Sequence, residues 1–169
     1  MRGAVALFLS LYLLRAVLAE ANSALSEAHV WLFAGGLYVA YSALMLPFGQ
    51  GFAASILGGL LCDALAPVPF GTHAALFATA HVVVFSLRER LQRDETLVRV
   101  TVALLVNLAF FLVLSGARLR HVPGIATAWP RMLSDLVWSQ VALALFAPWF
   151  FALQARTLEL ARARPARAA

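Results

Sequence analysis

The residues of this sequence that could do chemistry are charged side chains within apolar stretches. Asp63 and Arg15 each lie inside such a stretch, and Asp135 lies near the start of another. A carboxylate inside a membrane span costs about 2.5–3.5 kcal/mol, so Asp63 is expected to face other helices and to be paired or protonated. We predict a buried charge pair in which Arg15 meets Asp63 or Asp135, and we favour a structural ion pair over a proton or substrate path. Asp135 could instead serve the dipole of its own helix start.

The other polar residues predict no catalytic set and no metal site. His73 and His81 are eight residues apart and are not accompanied by an HExxH or Asp-rich arrangement. No serine stands in a Gly-x-Ser-x-Gly elbow, the chain has no lysine, and its one cysteine excludes a disulfide framework. We therefore expect no enzyme and no cofactor. Asn107 is expected to form an interhelical hydrogen bond.

The composition indicates that membrane spans position these residues. Hydrophobic residues make up 63% of the 169 and charged residues 12%, which excludes a soluble enzyme domain, a disordered tail and a fibrous protein. A net charge of +5 would suggest nucleic acid in a soluble chain, but here the arginines lie at the ends of apolar runs, so no nucleic-acid partner is expected. We predict an all-α integral membrane protein with a single transmembrane domain.

Six apolar runs predict a six-transmembrane-helix bundle, because a helix needs about 20 residues to cross the hydrocarbon core. The third run lies between prolines, so a re-entrant segment is the alternative for it. The first run also resembles a secretory signal peptide that would be cleaved after Ala19. The predicted spans cover approximately residues 3–19, 30–48, 48–66, 70–87, 97–115 and 133–153.

The arginines determine the predicted orientation. With six spans, eight arginines lie on one side and three on the other, whereas a re-entrant third run gives four against seven. The positive-inside rule favours the first arrangement, with both termini cytoplasmic. The basic tail 156–169 is expected to bind anionic lipid or an acidic partner through Arg156, Arg162, Arg164 and Arg167.

Two columns of small residues indicate that the third run packs closely on a neighbouring helix. In one column a small residue recurs every four positions and Asp63 ends the series, and the second column lies beside it on the helix. Small residues at this spacing are typical of helices that pack backbone to backbone. The predicted helix-packing or partner face consists of Gly51, Ser55, Gly58, Gly59 and Asp63, with Gly71 at the start of the next run.

The block 47–87 resembles the rod shape-determining protein MreD family. Gly51-Phe52, Gly59-Leu60 and Asp63 match a Gly-Phe, Gly-Leu and Asp pattern in one short span, and Gly71 matches the glycine that opens the next span. The resemblance covers about a quarter of the chain in detail, and elsewhere it extends only to hydropathy, chain length and short loops. The doubled glycine at Gly58 departs from the family pattern.

The resemblance implies a non-enzymatic subunit of the bacterial cell-elongation complex, which synthesises peptidoglycan and maintains rod shape. The implied location is the inner (plasma) membrane, as a multi-pass protein. The implied main partner is an MreC-like periplasmic scaffold, with the MreB filament and the peptidoglycan polymerase and transpeptidase pair as further partners. The family is similar in fold to the substrate-binding subunits of energy-coupling-factor vitamin transporters, and such a subunit is the alternative function.

Overall fold

Six α-helices make up most of the chain that the structure describes. The structure is a computed structural model and describes residues 2–27, 31–66, 69–91, 95–119 and 125–163. No strand occurs within these ranges, so the all-α prediction is confirmed for them. The helices are α1 (Arg2–Leu25), α2 (Gly35–Met45), α3 (Phe48–Leu65), α4 (Thr72–Leu87), α5 (Thr96–Leu119) and α6 (Ile125–Ala163).

Four of these helices are long and apolar enough to cross a membrane. The qualifying segments are Phe8–Leu25, Phe48–Leu65, Thr96–Ala117 and Trp129–Thr157. The apolar helix α4 has 16 residues and α2 has 11. At 1.5 Å per residue, α2 alone covers about 16 Å, which is roughly half of the hydrocarbon core. The structure thus supports an α-helical membrane protein, while the count of six spans stays a prediction.

The short helix α2 forms the buried centre of the bundle. Nine of its 11 residues are buried, and it packs against α3, α4, α5 and α6. Its Tyr38 and Ser42 side chains form hydrogen bonds with α3, which favours a position inside the bundle over one that faces lipid. The approach of α5 is especially close at Gly36, where a Cβ atom would lie 2.3 Å from the backbone nitrogen of Asn107.

The second apolar run is not helical throughout. We predicted a span over 30–48, but helix α2 begins only at Gly35. Residues 31–34, hereafter the pre-α2 segment, have no regular secondary structure. The apolar sequence indicates burial, and it does not distinguish a helix from a buried irregular segment.

Helices α1 and α6 extend beyond the predicted spans. The first span was predicted to end at residue 19 and α1 continues to Leu25, while α6 runs for 39 residues and includes Pro130 and Pro148. An apolar run marks only the part of a helix that meets hydrocarbon, and the helix itself can continue into polar surroundings. Many large apolar side chains of these two helices are exposed, as a lipid-facing surface requires.

We expect reporter fusions placed after Arg93 and after Ala169 to show a cytoplasmic location, because both positions lie on the arginine-rich side of a six-span topology. Activity of a periplasmic reporter and of a cytoplasmic reporter, fused at the same positions, provides the measurement. A fusion after Gly116 should give the opposite pattern. A periplasmic signal at Ala169 would contradict the topology, because it would mean that an odd number of segments crosses the membrane.

Candidate functional site

Asp63, at the end of α3, binds the first turn of α4. Its Oδ2 atom accepts hydrogen bonds from the backbone N–H groups of Gly71, at 2.9 Å, and Ala74, at 3.1 Å. Its Oδ1 atom accepts the backbone N–H of His73 at 2.8 Å. The first N–H groups of a helix have no partner within the helix and carry partial positive charge, so a carboxylate placed there stabilises the helix start.

The imidazole of His73 binds the same carboxylate. Its Nδ1 atom lies 2.9 Å from Oδ1 of Asp63, and both side chains are buried. A carboxylate has lone pairs for several donors, so Asp63 can accept all four of these hydrogen bonds together. One acidic side chain therefore links the end of α3 to the first turn of α4.

Gly71 provides the turn that brings the start of α4 to Asp63. Its φ angle is 95°, in the left-handed region that favours glycine. The next N–H group, that of Thr72, donates to the carbonyl of Pro69 at 3.2 Å. The residues that carry the family resemblance at Asp63 and Gly71 thus belong to one local structural unit.

The structure does not pair Arg15 with either carboxylate predicted for it, although all three residues lie in the described part of the chain. Asp63 binds the main chain of α4, and Oδ1 of Asp135 accepts the N–H of Trp31 at 2.9 Å. Each carboxylate lies beside main-chain N–H groups that have no partner within a helix, and these groups occupy its oxygens. The alternative predicted for Asp135 was an interaction with the dipole of its own helix, but its carboxylate binds the main chain of the pre-α2 segment.

Both small-residue columns of α3 contact α2, and each also contacts one further helix, α4 for the first column and α1 for the second. A Cβ atom on Gly59 would lie 2.4 Å from Cα of Ala74, and one on Gly58 would lie 2.7 Å from Cδ2 of Leu11. At Gly51 the nearest atoms, both at 2.5 Å, belong to His81 and to the carbonyl oxygen of Ser42 on α2. These glycines are buried against the chain's own helices, so the predicted face serves internal packing with α1, α2 and α4.

A buried polar cluster joins α2, α3 and α4, and the sequence analysis did not find it. The hydroxyl oxygens of Ser42 and Ser55 are 2.8 Å apart, and Nδ1 of His81 lies 3.2 Å and 3.1 Å from them. Ser42 also donates to the carbonyl of Val39 at 2.9 Å. The three residues are far apart in sequence, and only the place of Ser55 in a small-residue column hinted at the contact.

The same cluster has one arrangement that uses all of its hydroxyl and Nδ1 protons. His81 donates from Nδ1 to Ser55, Ser55 donates to Ser42, and Ser42 donates to the main chain. In this tautomer Nε2 of His81 carries no proton, and it lies near three phenylalanine rings without a hydrogen-bond partner. Every N–H and O–H donor of the cluster therefore has an acceptor. Ser–His contact is the geometry of a nucleophile and its base, and all three residues of this cluster have 0% exposure.

Two asparagines bind the main chain of the pre-α2 segment. Asn22 of α1 accepts the N–H of Leu32 at 2.7 Å and donates to its carbonyl at 3.1 Å. Asn107 of α5 donates to the carbonyl of Phe33 at 3.0 Å and accepts the N–H of Gly36 at 3.2 Å. The interhelical bond predicted for Asn107 is thus a bond to the main chain at the start of α2.

Two α6 side chains bind further main-chain groups of this segment. Asp135 accepts the N–H of Trp31, as described above, and the hydroxyl of Ser139 accepts the N–H of Phe33 at 3.0 Å and donates to the carbonyl of Trp31 at 3.2 Å. Non-helical backbone at membrane depth is tolerated where it is buried in protein and its polar groups are bound. Helices α1, α5 and α6 together bind the N–H and C=O groups of residues 31–33.

Arg15 lies half-buried beside an open space that we call the α1 cavity. This cavity has a volume of about 400 Å³ and lies between α1, the pre-α2 segment and the end of α3. Arg15 follows the buried Leu11 by one turn, so it belongs to the face of α1 that packs on the bundle. It is the charged side chain among the residues that line this cavity.

The predicted basic tail is described only in part. Arg156 is exposed on α6, in line with the predicted contact with lipid or a partner. Arg162 lies within α6, but its side chain is outside the described part of the structure. Arg164 and Arg167 lie outside the described residues altogether.

Comparisons of the chain with protein-family models, with curated proteins and with solved structures each returned no match.

We expect Asp63→Ala to lower the free energy of unfolding by about 2–4 kcal/mol, because it leaves buried N–H groups of α4 unpaired. Asp63→Asn should cost less, since its one carbonyl oxygen can still accept two of them. Thermal unfolding of the purified protein in mild detergent measures both.

A double-mutant cycle with Arg15→Ala serves as the control for that experiment. Because Arg15 and Asp63 do not contact each other in the structure, their losses should add. A coupling energy above about 1 kcal/mol would contradict the structure and favour the ion pair predicted from the sequence.

We expect Gly59→Ala to lower the free energy of unfolding by about 1–3 kcal/mol, because the new Cβ would collide with the backbone of α4 and separate the two helices. The matched control is Gly49→Ala in the same helix, where no atom lies within 4 Å of the added Cβ. That control should be neutral or slightly stabilising, since alanine favours helix over glycine. Equal effects of the two substitutions would contradict the close α3–α4 contact.

Proposed function

We propose that this chain is a non-enzymatic membrane subunit of the bacterial cell-elongation complex, in the inner membrane, with both termini in the cytoplasm. In this function it holds a membrane-anchored, MreC-like scaffold protein, and through it the MreB filament and the peptidoglycan polymerase and transpeptidase pair. The resemblance of the block 47–87 to the MreD family suggests the complex. One structural observation, a groove between α4 and α5, supports a role in holding a partner.

The α4–α5 groove is an apolar channel of about 440 Å³ on the surface of the bundle. Helices α4 and α5 contact each other only weakly, and the buried side chains of Val84, Val106 and Phe110 line the groove between them. Its rim carries exposed apolar side chains such as Val83 and Leu105. A polar ligand would find almost no hydrogen-bond partner there.

A helix of a partner protein fits the chemistry and length of this groove. Ala80 and Ala109 line it, and small residues let helix backbones approach closely within a membrane. Helix α4 lines the groove from Leu76 to Leu87, so the groove can follow a partner helix for about 17 Å, roughly half of the hydrocarbon thickness. The contact would then be made by helix faces within the bilayer, as the short loops of the chain require.

The fixed interior of the bundle supports a holding role over turnover. Asp63, Asn107 and Ser139 bind main-chain groups of the chain itself, and the Ser42–Ser55–His81 cluster is closed to the surface. Polar side chains engaged in this way fix the helices relative to each other and are not available to a substrate. Such a bundle presents its outer faces in a constant arrangement.

We expect Ala109→Trp to reduce the amount of MreC-like protein that co-purifies by about ten-fold, because the indole would fill the groove. The matched control, Leu13→Trp, places the same side chain on an exposed site of α1 and should leave the yield unchanged. Quantitative immunoblotting of detergent-extracted complexes provides the measurement.

Cysteine cross-linking tests the same surface without a bulky substitution. The single native cysteine, Cys62, is replaced by serine, and Val83→Cys is compared with Leu145→Cys on the exposed face of α6. The partner's span should cross-link to Val83→Cys and not to Leu145→Cys. Co-purification with a transport ATPase complex, and not with an MreC-like protein, would overturn the proposed function.

The alternative function, a vitamin-binding subunit of an energy-coupling-factor transporter, is favoured by one observation. The α1 cavity has a volume in the range of small-molecule sites, which is about 300–1,000 Å³. Few polar side chains of the cavity can bind a ligand, because the Asn22 side chain is already hydrogen-bonded to the main chain of Leu32. Co-purification with the ATPase is also the experiment that would favour this alternative.

A further inference from the structure

Arg15 occupies a position where its charge requires an anion. It lies on the same face of α1 as Leu11, which is 2% exposed, and Asn22, which is 6% exposed, while Leu13 and Val17 face outward. The guanidinium is therefore directed into the bundle interface and not toward bulk lipid. An arginine within a span costs about 2.5–3.5 kcal/mol unless it is paired or reaches the interface.

The carboxylates that could have neutralised Arg15 are bound elsewhere. Asp63 accepts N–H groups at the start of α4, and Asp135 accepts the N–H of Trp31. Glu20 is exposed and follows Arg15 by five residues, or about 8 Å along the helix, on another face of α1. The chain thus places a cation within an apolar helix, beside an open cavity.

The walls of the α1 cavity are mostly apolar. Leu11 and Leu14 of α1, Leu32 and Phe33 of the pre-α2 segment, and Leu65 of α3 contribute to them. Along α3, the contact of Gly58 with Leu11 is followed one turn later by Cys62, which lines the cavity. An apolar space of this size next to a bilayer takes up hydrocarbon more readily than water.

We propose that the α1 cavity binds one anionic glycerophospholipid, whose phosphate pairs with Arg15 and whose acyl chain lies along the leucines of α1. A guanidinium forms two parallel hydrogen bonds with phosphate oxygens, which suits a phosphodiester at the edge of the hydrocarbon. One lipid molecule then supplies both the anion for Arg15 and the acyl chain that occupies the apolar cavity. This inference does not depend on the proposed function, because it concerns α1 and not the α4–α5 groove.

The test uses the purified full chain in nanodiscs and in detergent, with phosphatidylglycerol and zwitterionic phosphatidylcholine as the probes. Native mass spectrometry should find one phosphatidylglycerol retained per chain, and titration should show a clear preference over phosphatidylcholine. Arg15→Gln should weaken phosphatidylglycerol binding about ten-fold or more, as expected for the loss of a charge-assisted pair. The matched control, Arg131→Gln, removes an exposed arginine of α6 and should leave binding unchanged.

Two further experiments test whether binding depends on the cavity and on the acyl chain as well as on the charge of Arg15. Ala19→Trp keeps Arg15 but fills the cavity, so it should also abolish retention of the lipid. Inorganic phosphate should neither bind nor displace the lipid, and if it does, the acyl chain is not recognised and the proposal is overturned. Equal binding of both lipids, or unchanged binding in Arg15→Gln, would overturn it as well.

The native Cys62 thiol gives a readout that does not depend on any variant. It lines the cavity and is 2% exposed, so modification by N-ethylmaleimide requires the cavity to admit the reagent. The wild-type chain should react several-fold more slowly in phosphatidylglycerol nanodiscs than in phosphatidylcholine nanodiscs. Equal rates would contradict occupancy of the cavity. A cross-link in cells between this cavity and a carboxylate of a partner helix, with no lipid retained, would assign the site to protein and overturn the proposal.

Discussion

The need to bond every main-chain N–H and C=O group in surroundings without water is the constraint on which this bundle depends. An unbonded backbone group in hydrocarbon costs several kcal/mol. Two places where such groups arise are the start of α4 and the pre-α2 segment. Asp63 binds the first, and Asn22, Asn107, Ser139 and Asp135 bind the second. Helices α2 and α4 can begin where they do because these side chains are there.

This constraint changes how an ionisable residue in a span should be interpreted. A charge within a membrane usually suggests a transport or proton path. Here Asp63 and His73 form part of a helix cap, and the histidine of the Ser42–Ser55–His81 cluster is sealed among helices. Arg15 differs, because the main chain offers it no comparable set of acceptors and it lies beside an open cavity. The same rule that explains the bound polar groups therefore makes Arg15 a residue that suggests a ligand.

The sequence predicted the parts of the fold that depend on pattern. Apolar runs located the helices approximately, and the spacing of Gly51, Gly58 and Gly59 indicated close packing of α3. The partner of Asp63 could not be predicted, because its ligands are N–H groups that every residue except proline carries and that leave no mark in the sequence. For the same reason the apolar pre-α2 segment was predicted as helix, since its bonds come from side chains more than a hundred positions away as well as from Asn22.

The arrangement of the helices also separates the two surfaces at which other molecules are proposed to bind. Helix α1 packs on α3 and α6, whereas the groove lies between α4 and α5. The helix that lies between these two regions is α2, whose own residues are almost all buried. Because close-packed interiors resist local volume change, a lipid beside Arg15 and a helix in the groove would contact different rigid faces and would not compete for space. One fixed core can in this way carry a lipid contact and a protein contact independently.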